Sequence, residues 1–128
     1  MGIMKYMGSK RRIANEILPI ILNERQYQQY YVEPFAGGMN TMCRVNGDRI
    51  ANDSNYYLIE MWKALVSGWE PPMYDAHCHK MAKKNHNYFP PHITGWIGFN
   101  CSYNGIFFGG FAGEIKTKSG TIRNYQVE

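Results

Sequence analysis

Val32-Glu33-Pro34-Phe35-Ala36-Gly37-Gly38 places a glycine pair directly after a short aromatic and β-branched run. Glycines at the end of a strand let a ligand approach the backbone, and the N–H groups of a following helix start can bind it. The spacing is not the G-x-G-x-x-G of a dinucleotide-binding turn. Asp53 follows a second short run, Arg49-Ile50-Ala51-Asn52, and an acidic residue there can accept hydrogen bonds from both hydroxyls of a ribose. Lys5-Tyr6-Met7-Gly8-Ser9-Lys10-Arg11-Arg12 mixes an aromatic, a glycine and basic residues at the start of a helix. Cations at that end oppose the helix dipole, so they need another reason, such as a nearby carboxylate or phosphate. Taken singly, each feature has an ordinary structural reading: a tight turn, a helix cap at Asn52-Asp53-Ser54, a solvated charge run.

The remaining reactive side chains point to less. His77-Cys78-His79, with His86 and His92, has the ligand types for zinc. Adjacent ligands rarely close on one tetrahedral ion and there is no second cysteine pair, so no metal site is expected. No Ser-His-Asp or Cys-His arrangement can be argued from spacing, because the fold brings such groups together.

The elements that must position these residues alternate. Ser9 is a helix N-cap, and Ile13, Ile17, Ile20 and Ile21 recur after it at helical spacing, with Pro19 expected to end or kink the helix near Leu18. Residues 30–33 read as a strand stopped by Pro34, residues 39–45 as a helix, and Asn46-Gly47-Asp48 as a turn. Residues 49–52 read as a second strand, and 55–67 as a helix closed by Gly68. Helix, strand, helix, strand, helix over residues 10–68 implies parallel strands in an α/β domain. Beyond it come a basic, His-rich helix over 74–84, a break at Pro90-Pro91, a glycine- and aromatic-rich run over 99–113, and a polar, loosely ordered tail over 114–128. The 128 residues thus form one domain, with a cofactor-binding part at 1–68, a helical and aromatic part at 69–113 and the tail at 114–128.

Composition bounds the function classes. With 45% hydrophobic residues the chain is not a disordered tail. Ten tyrosines and three tryptophans suit stacking on bases or adenine as well as core filling. A net charge of +4 permits a polyanionic partner without demonstrating one. Three scattered cysteines argue for a reducing compartment, and neither a signal peptide nor a membrane-spanning run is present, so a cytoplasmic protein is expected.

Together the motifs say more. Lys-Tyr-x-Gly-x-Lys, then Val-Glu-Pro-Phe-x-Gly-Gly, then Asn-Asp-x-Asn-x-x-Leu-Ile, in this order, resembles the DNA adenine-N6 methyltransferase family, the type that methylates GATC. Phe99-Asn100-Cys101-Ser102-Tyr103-Asn104-Gly105 and Phe108-Gly109-Gly110-Phe111-Ala112-Gly113 are similar to that family's Tyr-Asn segment, so the resemblance spans residues 4–113. It implies a Rossmann-like fold and S-adenosylmethionine as cofactor. Tyr6, Gly8 and Lys10 would line the cofactor pocket, Phe35 and Gly37 would sit beside the methionine part and the adenosine, and Asp53 would hold the ribose. Tyr103 and Asn104 would approach double-stranded DNA, where an aromatic can wedge into the base stack. One departure stands out: the family usually has a further glycine where this chain has Met39, whose side chain would narrow the pocket.

The family also needs Asp-Pro-Pro-Tyr, which binds the target amino group and stacks on the flipped base. Glu70-Pro71-Pro72-Met73 lacks both the Asp and the Tyr. No catalytic residue is therefore assigned, and the fold is expected to be partial, ending before that motif. The chain is expected to be inactive alone. The alternatives are one half of a split enzyme, completed by a partner chain, or a non-catalytic DNA- or cofactor-binding module. The strand at 30–33 would then have an open edge, which favours a homodimer.

Overall fold

A computed structural model describes residues 4–126; Met1–Ile3 and Val127–Glu128, the ends of the expected start and tail segments, lie outside it. The chain divides into two compact units, Met1–Ser54 and Asn55–Glu128. Helices and strands mix in an α/β arrangement.

In the first unit Ser9 caps the chain as expected, its Oγ accepting from the Arg11 N–H at 3.2 Å. It opens only a short 3-10 turn, Lys10–Arg12, before α1 (Ala14–Ile21) begins. The expected end at Leu18 is overtaken by three residues. Pro19 removes a single N–H, while Leu22 still donates to the Leu18 carbonyl at 2.8 Å. Ala14 and Leu18, one turn apart, form the buried stripe, and Ile20 and Ile21 are exposed. β1 (Tyr31–Glu33) and β2 (Arg49–Ala51) pair in parallel with Val32 opposite Ile50, as the alternation implied. Alternation along β1 buries Tyr31 and Glu33 and exposes Val32. Arg25 fixes the approach to both strands. Its guanidinium donates to the carbonyls of Gln29, Asn46 and Asp48 at 3.0, 2.8 and 2.9 Å.

The helix expected over 39–45 does not form. Met39 lies in the left-handed region at φ 60°, and only a 3-10 turn, Met42–Arg44, follows. The Met39 side chain packs with the buried cluster of Leu18, Tyr31, Met42 and Val45.

In the second unit α2 (Tyr56–Val66) is capped by Asn55, whose side chain accepts from the Leu58 N–H at 3.0 Å. It buries Leu58, Met61 and Trp62. α3 (Ala76–Lys84) is capped in the same way by Asp75. The break expected at Pro90-Pro91 is instead the start of α4 (Pro91–Asn100), since proline at the first helical position loses no hydrogen bond. Gly95 makes the α2–α4 contact possible, because a Cβ there would sit 2.2 Å from the Tyr57 carbonyl oxygen. The tail is more ordered than its composition suggests. β3 (Glu114–Lys116) and β4 (Ile122–Asn124) form an antiparallel hairpin closed by Thr117 and Thr121.

Candidate functional site

The turn after β1 is pinned to the end of β2 from both sides. The Ala36 N–H donates to the Asn52 carbonyl at 2.8 Å, and the Gly37 N–H donates to Asp53 Oδ2 at 3.1 Å. Gly37 adopts φ 49°, which an L side chain enters only at a cost. The space its side chain would fill belongs to Tyr6: a Cβ on Gly37 would lie 2.8 Å from the Tyr6 ring. Burial, and then the Asp53 carboxylate, push the Tyr6 hydroxyl pKa above its ordinary value of 10.0. Three residues singled out by sequence, Tyr6, Gly37 and Asp53, therefore meet in one place.

Lys10 joins them through the backbone. Its Nζ donates to the Phe35 carbonyl at 2.7 Å and stands 3.7 Å from Glu33 Oε1. Gly8, at φ 80°, turns the chain between Tyr6 and Lys10. The Phe35 ring is 72% exposed, so this residue contributes its carbonyl rather than its aromatic face to the cluster. Tyr103 and Asn104 lie in the second unit, both exposed. There the Asn104 N–H donates to the Tyr125 hydroxyl, and the Tyr103 and Tyr125 rings are 5.3 Å apart.

Glu33, Tyr31, Thr41 and Asn40, to which the sequence assigned no role, adjoin this cluster. Glu33 is only 8% exposed, and its Oε2 accepts from the Tyr31 hydroxyl at 2.8 Å and from Thr41 Oγ1 at 3.1 Å. Burial first, then the bond to Glu33, raises the Tyr31 pKa. Asn40 is 4% exposed, and its Nδ2 donates to Ser9 Oγ at 2.8 Å, tying the N-terminal segment to the glycine turn. A signal for Glu33 was present in the sequence. An acid two residues from a strand tyrosine shares its face, so if one is buried the other must find partners.

Tyr6, Gly8, Ser9, Lys10, Ala36, Gly37, Gly38, Asn40 and Thr41 line a partly open pocket of about 10 Å³, roughly the space one water molecule needs. Met39 is not in this lining. Its side chain packs instead against the buried Leu18, Tyr31, Met42 and Val45 cluster.

Among the described residues, no three His, Cys, Asp or Glu gather as a metal site, and no helix is long and apolar enough to cross a membrane. A family model described as D12 class N6 adenine-specific DNA methyltransferase matches residues 6–93, more than half of the chain.

Proposed function

Because the chain belongs to the D12 class N6 adenine-specific DNA methyltransferases, we propose that its first unit holds S-adenosylmethionine for methyl transfer to adenine N6 in DNA. The observation that carries this reading is the meeting of Asp53, Gly37 and Tyr6 at the ends of two parallel strands. Ligands of open α/β sheets bind outside the carboxyl ends of the strands, and the parallel pairing of β1 with β2 supports a Rossmann-like arrangement.

The residues fit the cofactor in kind. Asp53 offers a carboxylate acceptor to ribose hydroxyls, the Gly37-Gly38 backbone permits close approach, and Tyr6 offers an aromatic face. The pocket lined by Tyr6 and the glycine turn holds only about one water-sized group, so the whole cofactor would need more room than it offers. When bound, the cofactor supplies the methyl group; the chain's own residues bind and orient it. Tyr103 and Asn104 are the proposed DNA contacts, exposed as such a role requires. The 128 residues contain no Asp-Pro-Pro-Tyr, so the chain by itself is expected to bind without transferring methyl groups. A cytoplasmic location, with DNA as partner, goes with this reading.

Calorimetric titration of the whole chain with S-adenosylmethionine and S-adenosylhomocysteine tests it. Saturable binding of both is expected, and no detectable heat with either at millimolar ligand would overturn it.

A further inference from the structure

Residues 76–113 contain no aspartate or glutamate, and their only lysines and arginines are Lys80, Lys83 and Lys84, all on α3. At 3.6 residues per turn the three lie within about 100° of one another around the helix. All three are exposed, as are Ala76 and His77 on the same side. The rest of the helix packs inward, with His79 and Ala82 buried. None of the three lysines has an ion-pair partner among the described residues, whereas Lys63 on α2 stands 3.0 Å from Glu60. The one acid beside the helix, Asp75, is at its N-cap and accepts from the Cys78 N–H at 2.8 Å.

Ordinary structural roles do not account for this face. Cations in the last turn complement the helix dipole, which covers Lys83 and Lys84 but not Lys80. Like charges three and four residues apart destabilise a helix, and a row of phosphates reverses the sign of that effect. Lys80 and Lys84 are about 6 Å apart along the axis, and their flexible stems can reach successive charges of a duplex. An anionic membrane is a poorer fit, because the exposed side has no large apolar residue to insert. The inner side of the helix is tied to the segment that carries Tyr103 and Asn104, since His79 Nε2 meets Ser102 Oγ at 2.9 Å. Resting on the DNA reading above, we propose that Lys80, Lys83 and Lys84 bind the phosphate backbone of duplex DNA, positioning it without reading its sequence.

The experiment titrates the whole chain into short fluorescent duplexes of two unrelated sequences and follows anisotropy over a range of salt. Lys80→Gln, Lys83→Gln and Lys84→Gln should each lower the slope of log K against log salt by about 0.9. The triple variant should bind about tenfold or more weakly, equally on both sequences. Replacing all three by arginine keeps the charge and should keep the slope, which separates a lost contact from a lost fold. Lys63→Gln should leave the slope unchanged, because Glu60 already holds that amine. An unchanged slope in the triple glutamine variant, an equal fall with Lys63→Gln, a loss on one sequence only, or displacement of the duplex by polyglutamate at equal charge overturns the role of α3 while leaving the DNA reading intact. Failure of the unmutated chain to bind either duplex at low salt overturns the DNA reading, and the role of α3 with it.

Discussion

Gly37→Ala tests the packing of Tyr6 on the glycine turn. Two costs are separable. Holding alanine at φ 49° costs about 1–2 kcal/mol, offset by about 0.4–1 kcal/mol from the stiffer unfolded chain. That leaves a backbone cost of roughly 1 kcal/mol, of the kind Gly8→Ala should also show, since Gly8 sits at φ 80° with nothing within 4 Å of its would-be Cβ. Gly37→Ala adds a clash, because 2.8 Å from Cβ to the Tyr6 ring is closer than real Cβ contacts allow. The ring must move, and overpacking of this kind costs about 1–3 kcal/mol. The total for Gly37→Ala is then about 2–4 kcal/mol. In a Tyr6→Ala background the clash disappears, so the penalty should fall to about 1 kcal/mol. Denaturant-dependent hydrogen exchange at the Tyr31 amide, which donates to the Asp48 carbonyl at 2.9 Å, reads the stability of this unit without mixing in the other. An equal penalty for Gly37→Ala with and without Tyr6 would refute the packing argument.

Asp53→Ala should reduce affinity for S-adenosylhomocysteine about tenfold or more, because a charge-assisted acceptor is removed; calorimetry showing unchanged affinity would move the ribose elsewhere. His79 is buried, paired through Nε2 with Ser102 Oγ at 2.9 Å and packed on Phe108 and Phe111. Burial, and then Lys83, lower its pKa from 6.5, so the unfolded chain takes up a proton first. Stability of the second unit is therefore full above about pH 6.5 and declines as pH falls below it, and a urea midpoint that does not drop between about pH 7.5 and 5.5 would contradict this. DNA binding by the whole chain should be weak and should fall steeply with added salt; tight, sequence-selective binding at physiological salt would point to a dedicated binding module instead. Val32 is 59% exposed, and the backbone groups of its neighbours Tyr31 and Glu33 face β2, so its own face the side of β1 that no strand pairs among the described residues. Self-association at micromolar concentration should follow, and light scattering of a clean monomer would argue against it.

Much of the first unit was legible because local rules and tertiary demands agree there. Pro34 ends β1, the Asn46-Gly47-Asp48 turn precedes β2, and Asp53 stands one residue past the carbonyl of Asn52 that holds Ala36. The second unit was less legible because packing overrides propensity. Thr94, Gly95 and Gly98 are poor helix formers, yet α4 runs through all three, and Gly95 is where the Tyr57 backbone comes closest. The hairpin at 114–124 escaped notice for a related reason. Its strands, Glu114–Lys116 and Ile122–Asn124, are as short as β1 and β2 but hold one isoleucine each among polar residues, without the aromatic and valine pair and the Pro34 stop that mark β1.

The most informative miss is the helix that does not follow the glycine turn. Free N–H groups at a helix start favour anions, and that is how dinucleotide sites hold a pyrophosphate. Here Met39 takes a left-handed conformation, and only three residues of 3-10 turn come after it, too few to build a dipole. What the turn carries instead is the Asp53 carboxylate, whose Oδ2 accepts from the Gly37 N–H, with the Glu33 carboxylate buried behind it. A site of this kind has little for a phosphate and more for a ligand with ribose hydroxyls at one end and a positive charge at the other. S-adenosylmethionine would suit such a site: it carries ribose hydroxyls, a sulfonium and a zwitterionic amino-acid end, and no phosphate. The spacing that failed the dinucleotide pattern in the sequence thus has a physical counterpart. Without the G-x-G-x-x-G turn and its helix, the proposed recognition would rest less on backbone donors and more on the Asp53 carboxylate.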